Sequence, residues 1–163
     1  TIPLARMGAI FLSTGRGFIM ASLKKLQVTS KLGPKFTIES RIRDHVVYVD
    51  QPTPGGADKG PTPLEYLFVA LAGCIGSIGR IVATQRKLNV RGMEITVEGE
   101  LDGEVLMGKS TANRTGFQGL TLTVDVDADM TREEKEEFLH EVDRRCPVSE
   151  NLLNATPITL HVR

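Results

Sequence analysis

The sequence predicts a single α+β domain, because strand-like and helix-like segments follow one another in blocks rather than in strict alternation. Apolar and polar residues alternate with period two before residue 50 and again after residue 90. Two helices between and after these strands each begin with a capping box. A chain of 163 residues with 40% apolar residues is long enough for one ordinary core. We assign this domain to residues 23–163 and treat residues 1–22 as an N-terminal extension of unknown role.

The first block predicts a meander of short strands. Gln27–Leu32 and Phe36–Ile42 alternate apolar with polar residues, and His45–Val49 is rich in β-branched residues. Gln51–Pro61 is composed of Pro, Gly and small polar residues, so we expect a loop there.

A central helix is predicted from Pro63 to about Lys87, since Thr62 and Glu65 form a capping box and Pro63 suits the first helical position. No charged residue occurs from Tyr66 to Gly79, a stretch shorter than the roughly 18 to 20 residues that span a bilayer. We therefore expect no membrane span but a helix buried on all sides. The repeated glycines at 73, 76 and 79 favour close approach of another backbone, for which the same helix of a second subunit is the simplest candidate.

The remaining elements complete the α+β order. Strands are predicted over Met93–Leu101 and Leu120–Val126, and a helix begins at the capping box of Thr131 and ends before Pro147. Ser149 is expected to cap a short helix over Glu150–Asn154, and Ile158–Val162 is predicted to be the last strand. Residues 108–119 receive no assignment.

Composition excludes several classes of function. Twenty basic residues balance twenty acidic ones and there is no Trp, which argues against nucleic-acid binding. The three histidines are scattered, so no metal or cofactor site is predicted. Two cysteines are too few for a secreted disulfide scaffold, and we expect a cytoplasmic protein.

The two cysteines occupy contrasting settings. The helical neighbours of Cys74 are uncharged, so a cation that activates its thiol would have to come from elsewhere, with Arg41 and Arg43 as candidates. Cys146 follows two arginines and precedes a helix start, which locally favours its thiolate. Two inert core cysteines are the alternative, since free cysteines often act as small buried hydrophobes.

Two motifs resemble those of a known family. The segment Gly60-Pro61-Thr62-Pro63-Leu64-Glu65-Tyr66-Leu67-Phe68-Val69-Ala70-Leu71-Ala72-Gly73-Cys74 resembles the signature of the OsmC/Ohr family, the osmotically inducible and organic hydroperoxide resistance proteins. Cys146-Pro147-Val148-Ser149 resembles its second motif, and His45–Asp50 also fits. The resemblance implies an OsmC-like fold in which antiparallel sheets wrap around a buried central helix in an intertwined homodimer.

The resemblance also implies an activity, the thiol-dependent reduction of alkyl or lipid hydroperoxides in oxidative stress defence. Cys74 would attack the peroxide and become a sulfenic acid, Cys146 would close a disulfide, and an external dithiol would reduce it. Arg43, preferred over Arg41, would activate Cys74. Glu65 would be the acidic residue that orients this arginine. The expected partners are the hydroperoxide, the dithiol and a second copy, without nucleic acid, membrane, metal or cofactor.

One departure from the family pattern favours an alternative. The hydroperoxide-resistance branch has Glu ten positions before the first Cys, where this chain has Leu64, and Glu65 stands nine before. The sequence is therefore nearer to the broad OsmC-like branch, and Glu65 has a second possible role as the capping acid. The alternative function is a non-catalytic binding protein with an apolar pocket beside Cys74.

Overall fold

The computed structural model describes residues 23–162, so the predicted N-terminal extension lies outside the described part of the chain. The described elements, in chain order, are β1 (Thr29–Leu32), β2 (Ile38–Ile42), β3 (His45–Val49), α1 (Pro63–Arg86), β4 (Val90–Glu100), α2 (Gly103–Leu106), β5 (Gly119–Ala128), α3 (Arg132–Arg144) and α4 (Pro147–Leu153). This α+β order confirms the predicted fold class.

The first three strands form an antiparallel sheet in the order β1-β2-β3. Thr29 pairs with Arg41, and Ile42 pairs with His45 across a two-residue turn. The first residue of that turn, Arg43, has a φ of 55°. The main packing of this sheet is within itself, although the Tyr66 hydroxyl on α1 donates to the Tyr48 carbonyl on β3 at 2.9 Å. The extensive packing among the other described elements joins α1 to β4, α3 and α4. The three-stranded sheet therefore adds little to the core of its own chain.

A buried carboxylate holds the loop between β3 and α1. The Asp50 side chain is 1% exposed and accepts hydrogen bonds from the Thr37 hydroxyl at 2.9 Å, the Gln51 N–H at 2.8 Å and the Lys59 N–H at 3.2 Å. Burial alone would raise the pKa of Asp50, but these hydrogen bonds to its charged form hold it below its usual value. The loop is thus fixed at both ends by one side chain.

The second sheet pairs β4 with β5 in antiparallel register, from Val90 opposite Ala128 to Glu100 opposite Gly119. One face of this sheet packs against α1 through β4, and α1 in turn packs against α3. The buried core consists of Leu71, Ile75, Val82, Ala83, Val90, Val126, Phe138, Val142 and Cys146. The core therefore lies between the second sheet and the helices.

Both predicted capping boxes are present. Thr62 and Glu65 bond reciprocally at the start of α1, as do Thr131 and Glu134 at the start of α3. At its other end, α1 stops at Lys87, which has a left-handed φ of 56° and donates its N–H to the Ala83 and Thr84 carbonyls. Local polar signals thus set the limits of both long helices.

The expectation that α1 is buried on all sides is wrong within one chain. Leu71, Ile75 and Val82 are buried, but Val69 on another face is 59% exposed and Ile81 is 43% exposed. By length and composition alone α1 could cross a membrane. Because its buried face packs against β4 and α3, we describe it as the central helix of the fold.

The glycines of α1 have separate physical reasons. A Cβ atom at Gly79 would displace the flexible end of the Met93 side chain on β4, so this glycine faces the sheet of its own chain. A Cβ atom at Gly73 would meet nothing within 4 Å. The partner backbone that we expected beside the glycines is therefore not needed to account for Gly79, whereas nothing in its own chain accounts for Gly73.

The C-terminal region departs from the sequence prediction at two points. The short helix begins at Pro147 rather than Glu150, because the Cys146 side chain, and not that of Ser149, caps it. Ile158–Val162 is not paired into a sheet, although it has the predicted alternation.

Candidate active site

The fold brings the two cysteines together from distant parts of the sequence. Cys74 lies on α1 and packs against the core, and Cys146 is in the core with 1% exposure at the start of α4. Both are free thiols, and the Cys146 thiol lies close enough to Cys74 to influence its pKa. Their proximity is the geometry that thiol and disulfide exchange requires.

The surroundings of Cys74 favour its protonated form. Burial raises the pKa of the Cys74 thiol, the neighbouring Cys146 thiol raises it further, and the Val148 backbone acts in the opposite direction. Because the thiolate is the nucleophile, the described chain alone does not activate Cys74.

Cys146 has a structural task besides any chemical one. Its Sγ accepts the Ser149 N–H at 3.4 Å and so caps α4, and the Ser149 hydroxyl donates to Asp143 at 2.6 Å. The neighbouring Arg145 is engaged elsewhere, with Glu141 at 3.2 Å and Gln85 at 2.9 Å. One of the two arginines that the sequence places before Cys146 is therefore engaged in surface contacts instead of facing the thiol.

The structure does not bring the candidate arginines to Cys74 within one chain. Arg43 is exposed at the tip of the β2-β3 hairpin, and Arg41 is exposed and paired with Glu39 at 2.7 Å. Among the described residues, no cation contributes to the pKa of Cys74.

Glu65 occupies the capping position rather than a place beside the thiol. Its carboxylate accepts the Thr62 N–H at 2.6 Å, and this hydrogen bond lowers the pKa of Glu65. Nine helical residues separate it from Cys74, which corresponds to about 13 Å along the axis. The capping role that we weighed for Glu65 is therefore present in the structure.

An apolar pocket of about 420 Å³ lies between α1, the start of β5 and α4. Leu67 and Leu71, which lie on the same stripe of α1 as Cys74, form part of its wall, and Ser149 and the N-terminal end of β5 form other parts. The loop that we left unassigned supplies Arg114 and Phe117. Phe117 packs its ring on Phe68 at a centroid distance of 4.9 Å. An aromatic residue in an otherwise polar stretch was the signal that this loop folds back onto the helix.

The profile of the family described as OsmC-like protein matches residues 56–161, well over half of the chain. This chain belongs to the OsmC-like protein family. No curated protein sequence matches it significantly.

Solved structures show the same fold as this OsmC-like chain. An OsmC-like protein from Mycoplasma pneumoniae has a TM-score of 0.71 at 21% identity, over 81% of this chain and 89% of that one. The organic hydroperoxide resistance protein OhrB of Bacillus subtilis has a TM-score of 0.57 at 24% identity, over 82% and 94%. An organic hydroperoxide resistance protein OsmC from Legionella pneumophila has a TM-score of 0.61 at 20% identity, over 80% and 90%. At these identities, the likeness establishes the fold.

Of the four predicted site residues, the OsmC-like chain places two side by side. Cys74 and Cys146 lie near each other, whereas Arg43 and Glu65 lie elsewhere in the protomer. Within residues 23–162 there is no cluster of three or more His, Cys, Asp or Glu side chains suited to a metal ion.

Proposed function

We propose that this OsmC-like protein is a thiol peroxidase that reduces organic hydroperoxides. The observation that carries this proposal is the proximity of the Cys74 and Cys146 thiols, which share one core cluster with Leu71 of the apolar pocket wall. Membership of the OsmC-like family supports a redox role in stress defence, as does the fold shared with proteins named for organic hydroperoxide resistance.

The proposed reaction consumes one hydroperoxide and two thiols. The Cys74 thiolate attacks the distal peroxide oxygen, the O–O bond breaks, and the alkoxide leaves as the alcohol after taking a proton. The Cys146 thiolate then attacks the sulfur of the Cys74 sulfenic acid and displaces water, which forms the disulfide. An external dithiol returns both cysteines to thiols by exchange.

A second copy of the chain would complete the site. In one protomer the pKa of Cys74 is raised, the three-stranded sheet packs only sparsely on its own core, and α1 exposes apolar residues such as Val69. We propose a homodimer in which the partner subunit's Arg43 stabilises the Cys74 thiolate. A guanidinium within about 4 to 6 Å of a thiolate favours its charged form.

The cellular setting follows from the chemistry of the cycle. We place the protein in the cytoplasm, where thiols are kept reduced and dithiol reductants are present. Residues 23–163 would supply the activity, and no metal or cofactor takes part in the proposed steps.

Replacement of Cys74 tests the reaction. Cys74→Ser is expected to abolish the consumption of cumene hydroperoxide in the presence of a dithiol, because the attacking sulfur is gone. Cys146→Ser is the matched control: it should still consume one equivalent and accumulate a sulfenic acid that a dimedone reagent traps. Unchanged turnover in Cys74→Ser would refute the mechanism.

The alternative is a binding protein that uses the same pocket without turnover. Leu64 at the position of the family's Glu and the raised pKa of Cys74 favour it. Titration of free thiols after one equivalent of cumene hydroperoxide separates the two functions. Loss of both thiols within one chain supports the peroxidase, and retention of both supports the binding protein.

A further inference from the structure

The first turn of α4 acts on both thiols, although α4 contributes little to the core. None of its residues is buried, and Val148 is only partly buried where it packs against the core cluster. Burial raises the pKa of Cys74, and the Val148 backbone opposes this rise. The next residue, Ser149, donates its N–H to the Cys146 sulfur at 3.4 Å. The surroundings of both sulfurs therefore depend on where this turn lies.

One side-chain hydrogen bond ties this turn to the end of α3. The Ser149 hydroxyl donates to the Asp143 carboxylate at 2.6 Å, a length typical of a hydrogen bond to a charged acceptor. Asp143 follows Val142, which is fully buried, so the acceptor belongs to a helix anchored in the core. Cys146 lies midway between the two bonded residues and donates its own N–H to the Asp143 carbonyl at 3.0 Å. We call the Asp143–Ser149 hydrogen bond the clamp, because it encloses the segment that bears Cys146.

The Asp143 carboxylate serves the clamp rather than the ion pairs on the surface of α3. Within residues 23–162 it is not part of a salt bridge, whereas Glu141 on the same helix pairs with Arg86 at 3.3 Å and with Arg145 at 3.2 Å. The bond to Ser149 therefore gives the physical reason for a carboxylate at this position.

Formation of a disulfide requires a narrow geometry. The sulfur–sulfur bond is about 2.05 Å long, and the two Cα atoms are usually about 4.4 to 6.8 Å apart. A displacement of about 1 Å in a reacting group can slow a reaction about a hundredfold. Because α4 buries no residue of its own, the position of the Cys146 backbone relative to Cys74 depends on contacts such as the clamp.

We propose that Asp143 and Ser149 are positioning residues that hold Cys146 ready to attack the oxidised Cys74. This assignment rests on the proposed function and concerns its second step. In that step the Cys146 thiol gives its proton to solvent and its sulfur attacks the sulfenic sulfur of Cys74. The sulfur–sulfur bond forms, the sulfur–oxygen bond breaks, and the hydroxide that leaves takes up a proton to become water. Asp143 has no part in the first step, the attack of Cys74 on the hydroperoxide.

Thiol exchange with dithiothreitol tests the clamp without any hydroperoxide. The equilibrium constant for oxidation of the full chain by oxidised dithiothreitol measures the effective concentration of Cys146 toward Cys74. Asp143→Ala is expected to lower this constant about tenfold, because it removes a hydrogen bond to a charged acceptor. Asp143→Asn should keep part of the wild-type value, since its amide oxygen can still accept the Ser149 hydroxyl.

Two further variants show whether the effect belongs to this bond. Ser149→Ala should lower the constant as Asp143→Ala does, and the double variant should lower it no further, because both changes remove the same bond. Glu137→Ala is the matched control, since Glu137 is a carboxylate of the same helix that pairs with Arg86 at 3.4 Å. An unchanged constant in Asp143→Ala would overturn the proposal. An equal fall in Glu137→Ala would also overturn it, as would the absence of a Cys74–Cys146 disulfide in the oxidised wild type.

A single turnover separates this proposal from the proposed function. Asp143→Ala should consume the first equivalent of cumene hydroperoxide at the wild-type rate. It should close the disulfide about tenfold more slowly, so a dimedone reagent should trap more of the Cys74 sulfenic acid. No consumption by the wild type would refute the peroxidase, while the dithiothreitol equilibrium would still decide the role of the clamp. Closure of the disulfide at the wild-type rate in Asp143→Ala would refute the clamp alone.

Discussion

At the scale of single residues, Arg43 occupies a conformation that costs stability. Its φ of 55° lies in the left-handed region, which costs a residue with a side chain about 1 to 2 kcal/mol. Glycine or asparagine is the usual choice at such a position of a two-residue hairpin turn. Backbone strain of this kind concentrates at functional sites, which agrees with a chemical role for the arginine.

Arg43→Asn should separate stability from activation. Asparagine tolerates the left-handed conformation, so the hairpin should remain at least as stable. Loss of the cation would leave the pKa of Cys74 raised by burial, so the thiolate would form only at higher pH. We expect its alkylation by iodoacetamide at neutral pH to slow by about tenfold or more, measured across pH in a Cys146→Ser background.

Arg41→Asn is the control for that experiment. Arg41 is on the same hairpin and exposed, but it is paired with Glu39. Its replacement should leave the pH profile of alkylation in place. If Arg43→Asn and Arg41→Asn both show the pH profile of alkylation of the Cys146→Ser parent, Arg43 does not activate Cys74.

At the scale of elements, the N-terminal cap of α4 is the sulfur of a cysteine. Cys146 is buried and its Sγ is the acceptor that caps this helix of seven residues. Leu152 and Leu153 of α4 also form the pocket wall, so the same short helix connects the second thiol to the pocket.

We expect the two conservative replacements of Cys146 to differ in stability. Serine retains an acceptor for the Ser149 N–H, whereas alanine leaves that N–H without its cap. Cys146→Ala should therefore unfold with a free energy about 1 kcal/mol lower than that of Cys146→Ser, measured by urea unfolding under reducing conditions. Equal free energies of unfolding would show that the cap contributes nothing.

Elements were predictable where their signals are local. The boxes at Thr62 and Thr131 fix helix starts through residues three positions apart, and both predictions are confirmed. Cys146 as a cap was missed because a thiol is a weak acceptor and Ser149 offered a stronger sequence signal. The position of Arg114 depends on a loop held by contacts with Phe68 and Asp102, which are remote in sequence. No local pattern contains that information.

At the scale of the whole molecule, one chain leaves much apolar surface uncovered. The exposed large apolar residues include Leu23, Leu26, Val28, Leu32, Val69, Ile81, Ile158, Leu160 and Val162. Surfaces of this kind mark interfaces in stable proteins. The sequence indicated that α1 is apolar on every face, but which face its own chain would cover depended on the packing of β4 and α3.

Gly73→Ala tests whether α1 packs against a second copy. In an isolated chain the new methyl group would meet nothing, so the helix should gain about 1 kcal/mol. Against a closely packed partner helix, the same methyl group should weaken the dimer about tenfold or more, measured as a dissociation constant by sedimentation.

Gly79→Ala serves as the comparison for that test. It places a methyl group against the flexible end of Met93 in the same chain, so any change in stability should arise within that chain and the dissociation constant of the dimer should stay as in the wild type. A Gly73→Ala variant that is more stable and sediments as the wild type does would contradict the proposed helix contact.

The C-terminal tail has a kinetic consequence. Ile158, Leu160 and Val162 alternate as in a strand, yet each is at least 88% exposed in the single chain. In the proposed dimer their burial must wait until two chains meet, because one chain offers no place for them. Refolding would then include a second-order step that slows on dilution, as bimolecular assembly does. Measured stability would likewise depend on protein concentration.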